Sequence, residues 1–162
     1  MSQHDRLFVD HQGRVHLRPD THRCRTRRGV HVAIRYGDDL LLVRPPGANW
    51  LELPGGGLED GESVETAAAR ELLEEGGVVL SEDALAEADE ERMQTRYYAR
   101  NHDQYWLYSQ CFRLVSLAAR PTEQPPLETG HERVWTPLQE LQDAPLHHVH
   151  RQGLDRLLGL VG

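Results

Sequence analysis

The sequence predicts an α/β layered domain with a mixed sheet, and three observations carry that prediction. VHVAIRYGDDLLLVR (30–44) reads as two strands around a Gly37-Asp38-Asp39 turn, with Val30, Val32 and Ile34 alternating. One amphipathic helix follows a glycine-rich turn. Two long strand-like runs, EERMQTRYYAR and QYWLYSQCFRLVS, come after that helix. Strands before and after a helix, with long antiparallel runs among them, form the pattern of helices laid on a sheet.

In chain order, RLFVD and RVHLR flank His11-Gln12-Gly13 and predict a small N-terminal hairpin at about 1–25. The 30–44 segment is a second hairpin. RPPGANW (44–50) reads as a loop, and LELPGGG (51–57) as a short strand running into the turn. Ser63 is the N-cap of the helix and Glu65 suits its positive end. Val64, Ala67, Ala68 and Leu72 form its apolar stripe, and Gly76-Gly77 stops it. The two long strands meet at Asn101-His102-Asp103, and their Tyr97, Tyr98, Tyr105 and Tyr108 read as core or sheet-surface residues. A proline-rich loop spans 118–132, RVWTPL is a strand end, and PLQELQ and HVHRQGLDRLLGL are helices, with His147, His148 and His150 on the surface where the last one starts.

A chain of 162 residues suffices for one domain with a proper core. Its 38% hydrophobic and 27% charged residues are those of an ordinary globular protein. No apolar run approaches the roughly 20 residues that cross a bilayer, and the polar N-terminus has no secretory pattern. Cys24 and Cys111 form neither a CxxC pair nor a disulfide framework and read as buried or half-buried thiols. A reducing, cytoplasmic setting without membrane partners is the expectation. Every basic residue is arginine. Without lysine there is no Walker-type phosphate loop and no Schiff-base nucleophile. The net charge of −8 argues against general nucleic-acid binding. Charge is uneven, however, with seven acids against one base in residues 56–78 and an opposing cluster at Arg23, Arg25, Arg27 and Arg28.

The acidic segment places Glu71, Glu74 and Glu75 in the closing turns of the helix. A carboxylate there opposes the helix dipole at roughly 0.3–1 kcal/mol. Glu71 and Glu75 also repel as an i,i+4 pair, partly offset by Arg70 with Glu74. Folding alone does not ask for this arrangement. At about 100° per residue the three carboxylates lie on one side of the helix, where they can converge on a hard divalent cation.

The run from Gly56 to Val78 has a spacing of its own. Glycine is followed after five residues by Glu62, after seven more by Arg70-Glu71-Leu72, then by Glu74-Glu75 and Gly77-Val78. It resembles the signature box of the Nudix hydrolases, proteins that cleave a nucleoside diphosphate linked to another group, and flanking features extend the resemblance over roughly 28–145. The resemblance implies an α/β/α sandwich with the box helix at about 63–75. It also implies Mg²⁺, for which Mn²⁺ can substitute, held by Glu71, Glu74, Glu75 and the Gly55 or Gly56 carbonyl. In that reading Glu74, oriented by Arg70, acts as base or further ligand beside Glu75. Glu62 ties the loop to the helix. The later loop offers Glu128, His131 and Glu132 as candidate bases, with Glu128 and Glu132 kept as rivals to Glu74 or as added metal ligands. Arg44 could reach phosphate. Trp50 reads first as core packing and second as a base-stacking residue.

The implied reaction is hydrolysis of a nucleotide-type small molecule to a nucleoside monophosphate and a phosphorylated remainder. The alternatives are an RNA 5′-pyrophosphohydrolase, which the acidic charge disfavours, and a catalytically silent nucleotide sensor, which the retained carboxylates disfavour. The positions where subfamilies carry a substrate-marking proline or tyrosine hold Met93 and Thr95 here, so no substrate is marked. The N-terminal hairpin offers a surface for a homodimer.

Overall fold

A computed structural model describes residues 2–160. The strands are β1 (Leu7–Val9), β2 (Val15–Leu17), β3 (Cys24–Tyr36), β4 (Asp39–Arg44), β5 (Gly55–Gly57), β6 (Val78–Val79), β7 (Asp89–Ala99), β8 (Gln104–Leu117), β9 (Thr122–Glu123) and β10 (Glu132–Pro137). The helices are α1 (Val64–Glu71), α2 (Glu82–Ala86) and α3 (His148–Leu157). The main sheet runs β10-β4-β3-β8-β7-β1-β2, with β5 attached to β3. It is mixed, because β3 runs parallel to β8 while β7 and β8 are antiparallel.

Alternation along the strands builds two cores, one on each face. Val30, Val32 and Ile34 of β3, Leu41 of β4 and Cys111 and Val115 of β8 pack against Ala67, Ala68 and Leu72 and against Leu85 of α2. Their intervening neighbours Ala33, Leu40, Leu42, Phe112 and Leu114 face Val149 and Leu154 of α3. Side chains two apart on a strand share a face, so one set of strands serves both layers. The result is the α/β/α sandwich expected from the resemblance.

The sheet opens where the site forms. β3 and β4 pair only near their turn, at Arg35–Leu40 and Tyr36–Asp39. Beyond that they diverge and the 51–57 segment enters the gap, bonding Val43 through Glu52, Val32 through Pro54 and β3 through β5. The split sheet thus delivers the glycine turn to the end of α1.

Several expectations change. β3 begins at Cys24, six residues before the apolar alternation, because β8 runs alongside it through Tyr105 and Trp106. In LELPGGG only the three glycines are a strand, and Leu51 and Glu52 make isolated bridges. PLQELQ contains one 3-10 turn, Leu138–Glu140. The short α2, started by the Ser81 hydroxyl accepting from the Ala84 amide, and the β6–β9 pair are additions. Cys24 is exposed, not semi-buried. His147 and His150 are not surface residues: at 6% and 4% exposure they pack under α3 in an imidazole stack with His31. The N-terminal hairpin forms as expected, and its β1 also meets β7 at Val9–Tyr97.

Candidate active site

The helix that carries the acidic run begins as predicted, with the Ser63 hydroxyl accepting from the Thr66 amide. It changes character at its end. From Leu72 to Gly76 the backbone widens into a π-turn, and Gly77 closes it in the left-handed region at φ 63°. A side chain at Gly77 would meet the Gln124 carbonyl oxygen at 2.0 Å, so glycine is required twice over.

Carbonyls at a helix end need partners from elsewhere. Here the proline-rich loop supplies them. The amides of Gln124 and Glu128 donate to the Gly77 and Glu74 carbonyls, each at 2.8 Å, and Arg133 Nη1 donates to the carbonyls of Gly76 and Gln124. A guanidinium at this end also opposes the helix dipole favourably. Loop and helix end are one unit, and Glu128 and His131 are thereby brought beside Glu75.

Arg70 is the hub of the other side. Its Nε and Nη2 form a fork on Glu62, each bond 2.8 Å, and Nη2 also donates to the Gly57 carbonyl at 3.1 Å. Nη1 donates to Glu71 Oε1 at 2.9 Å and Glu74 Oε2 at 3.2 Å. The arginine thus makes the i,i+4 contact with Glu74, while its stronger hold is on Glu62, whose carboxyl it keeps down at about 2. Glu62 in turn accepts from the Glu59 amide, which ties the box loop to the helix.

Glu75 is held differently. The Gly55 amide donates to its Oε1 at 2.9 Å, and Oε2 lies 3.5 Å from His131 Nε2. Burial pushes its carboxyl up to about 9, with Glu71, Glu52 and Glu128 adding like charge. Burial also raises Glu71, against the pull of Arg70. Gly56 lets β5 approach this far, since a Cβ there would sit 2.6 Å from Glu71 Oε1. Ligand atoms of Glu75, Glu128 and His131 all lie within 4.8 Å of one another. Two carboxylates and an imidazole so close, in an acidic and half-buried setting, suit a divalent cation.

The remaining candidates scatter. Arg44 Nε lies 3.5 Å from Glu132 across the β4–β10 pair, so these two engage each other. Trp50 is half-buried; its ring lies tilted by 32° against His11 with ring centres 4.2 Å apart, and it donates to Glu52. Glu52, Arg133 and His31 were not singled out as site residues by sequence reasoning. Glu52, between two leucines, reads as the outward position of a strand, yet burial raises its carboxyl. Arg133 has no local signal at all. On the side of the box loop, a cleft of about 540 Å³ lies between Arg27, Arg28, Gln94 and residues 58–62. A hollow of about 730 Å³ beside α3 is lined by none of the box residues.

A match to the NUDIX domain spans residues 25–157 of the chain. The chain belongs to the Nudix family. It is 31% identical over 118 residues to an RNA pyrophosphohydrolase of Actinobacillus pleuropneumoniae serotype 3 (strain JL03), covering 73% of this chain and 48% of that protein. Over 60 residues it is 47% identical to Nudix hydrolase 25 of Arabidopsis thaliana, covering 35% of this chain and 33% of that one. The chain spans about half or less of the length of the curated relatives it matches. Among solved structures, the fold is similar to a bifunctional NMN adenylyltransferase/ADP ribose pyrophosphatase of Francisella tularensis complexed with AMP and Mn ion. The TM-score is 0.63 at 23% identity, over 85% of this chain and 42% of that one. It is also similar to a MutT NUDIX hydrolase of Burkholderia pseudomallei, with TM-score 0.57 at 27% identity over 80% and 96% of the two chains. The mixed sheet covered by helices matches these Nudix structures.

Proposed function

We propose that this Nudix chain hydrolyses a pyrophosphate bond in a nucleoside diphosphate linked to another moiety, with Mg²⁺ as cofactor and Mn²⁺ able to substitute. One observation carries the reading: the complete box from Gly56 to Val78 is folded so that Glu75, half-buried and hydrogen-bonded to Gly55, faces Glu128 and His131, while Arg70 gathers Glu71 and Glu74. In this proposal Glu71, Glu74, Glu75 and the Gly55 carbonyl hold the cation, with Glu128 as an added ligand. Bound there, it would neutralise the diphosphate, polarise a phosphoryl oxygen and lower the pKa of a water.

The chain's own groups do the rest. Arg70 fixes the carboxylates of Glu71 and Glu74 and keeps them from splaying apart. Glu74 accepts the proton of the attacking water, with Glu128 as its rival. Arg44, engaged with Glu132, is freed for phosphate only by breaking that exposed pair, a contact worth roughly 0–1 kcal/mol. Residues 1–162 act as one unit in this reading, with the β1–β2 hairpin as an extension that could mediate a homodimer. The proposed setting is the cytoplasm, with a small nucleotide as the partner.

A second reading, hydrolysis at the 5′ end of triphosphorylated RNA, is favoured by one specific feature. Arg27 and Arg28 line the 540 Å³ cleft beside the box loop and form no ion pair among the described residues, and Arg27 lies over Trp106 and Tyr108. Guanidinium next to aromatic faces suits phosphate and bases. Product formation with Mg²⁺ across nucleotide sugars, dinucleoside polyphosphates, nucleoside triphosphates, ADP-ribose and 5′-triphosphorylated RNA decides between them. Tight nucleotide binding with no turnover in any divalent cation would overturn both.

A further inference from the structure

His131 stands out from the box carboxylates by its chemistry. Its side chain is only 10% exposed, wedged with Nε2 3.5 Å from Glu75 Oε2 and Nδ1 3.5 Å from Glu128 Oε2. That Nδ1 is buried and has no hydrogen-bond partner among the described residues. An orphaned buried ring nitrogen costs free energy, and a fold keeps one where something else is to be bound. Two donors on one cation, with bonds of about 2.1 Å, sit roughly 3.0–3.5 Å apart. The orphaned Nδ1 and Glu128 Oε2, at 3.5 Å, have that spacing, and with one ligand atom taken from each residue, Glu75, Glu128 and His131 all lie within 4.8 Å of one another.

The loop's anchorage makes this a built arrangement. Glu128 is fixed through its amide to the Glu74 carbonyl, and the His131 amide donates to the Glu128 carbonyl at 3.4 Å. Strand β10 begins at the next residue and is paired to β4 along its whole length. The imidazole therefore approaches Glu75 from a segment held at both ends.

Oxygen-only sets suit Mg²⁺, whereas imidazole suits Fe²⁺, Co²⁺, Ni²⁺ and Zn²⁺. We propose that His131 is a metal ligand which, with Glu75 and Glu128, biases this site toward transition-metal cations over Mg²⁺. The inference rests on the pyrophosphohydrolase reading of the same site and adds to it the ion's identity and a nitrogen donor.

The test needs no turnover. Metal-free wild type, His131→Gln and His131→Asn are titrated with Co²⁺ by visible absorption and calorimetry, and Mg²⁺ is competed against it. The expected result is a fall in Co²⁺ affinity of about 10- to 100-fold in both variants, with Mg²⁺ affinity within about twofold of wild type. Nitrogen modulation in the Co²⁺ electron spin-echo should be present in wild type and absent from both variants. Melting temperatures check that the variants are folded. An unchanged Co²⁺/Mg²⁺ ratio, or no nitrogen coupling in wild type, overturns the assignment. Hydrolysis is scored separately in Mg²⁺: normal hydrolysis with an unchanged ratio removes only the His131 ligand. Absent hydrolysis with the ratio lost in the variants supports the ligand and removes only the pyrophosphohydrolase reading.

Discussion

The amide of Gly55 and Oε1 of Glu75 are 2.9 Å apart, and this bond joins the glycine turn to the end of the box helix across twenty residues of chain. A glutamine at 75 keeps an oxygen acceptor for it. Because burial holds the Glu75 carboxyl up to about 9, the group is neutral near pH 7 in the metal-free protein, as an amide is. Glu75→Gln should therefore melt within a few degrees of wild type without metal, while turnover in Mg²⁺ falls by roughly a hundredfold or more. A variant as active as wild type would remove Glu75 from the proposed machinery.

Cation binding should appear as stability. A divalent ion relieves the like charges of the neighbouring carboxylates and displaces the proton that Glu75 carries in the metal-free protein. At a hundred times the dissociation constant, linkage contributes about 2.7 kcal/mol, or roughly 5–10 °C for a chain of this size. Scanning calorimetry with Mg²⁺ or Mn²⁺, then with chelator, measures it. Glu75→Gln should lose most of the rise.

Arg70 donates through all three of its nitrogens, to Glu62, Gly57, Glu71 and Glu74. Lysine has one compact ammonium and cannot replace a fork. Arg70→Lys should cost about 2 kcal/mol or more in urea unfolding, because partly buried carboxylates lose their partner. Turnover should fall with it, since Glu71 and Glu74 are no longer held. A loss under about 0.5 kcal/mol would make Arg70 a plain surface residue.

The buried imidazoles predict acid sensitivity. Burial pushes His31 and His147 down to about 3, and His150 well below its ordinary range, against 6.5 for a free histidine. Only a neutral His150 can accept from the Leu53 amide at Nδ1. The folded pKa is depressed, so the stability each contributes is complete above about 6.5 and drains away as pH falls toward 3, by about 1.4 kcal/mol per unit for each. Glu75 acts oppositely: its raised folded pKa makes the metal-free fold gain stability as pH falls from about 9 to 4.5, cancelling roughly one histidine. His147→Phe keeps a ring for the stack and removes one titration. Between pH 5 and 6 its urea stability should fall less steeply than wild type by about 1.4 kcal/mol per unit, and an identical slope would mean His147 already titrates freely.

The parts legible in the sequence were those governed by local rules. Alternation gave the long strands, Ser63 and Gly77 bounded the box helix, and the box spacing marked Arg70 and Glu71–Glu75 before any geometry was known. What was hidden depends on contacts between distant segments. Nothing near Arg133 says that it closes a helix end 57 residues away, and the π-turn exists because loop amides take up its carbonyls. The histidines of HHVH resemble a surface helix start until Phe112 and His31 arrive from other strands to cover them.

The widened end of the box helix has a bearing on how this fold can be varied. Its carbonyls are bonded to residues 124–128, so that stretch is tied by its main chain, whatever side chains it carries. Apart from Glu128, residue types there can be exchanged, but insertions or deletions would pull the helix end out of shape. Engineering of a new substrate preference should therefore keep the length of this segment and lengthen instead the 45–50 connection, whose Gly47 has open space around it.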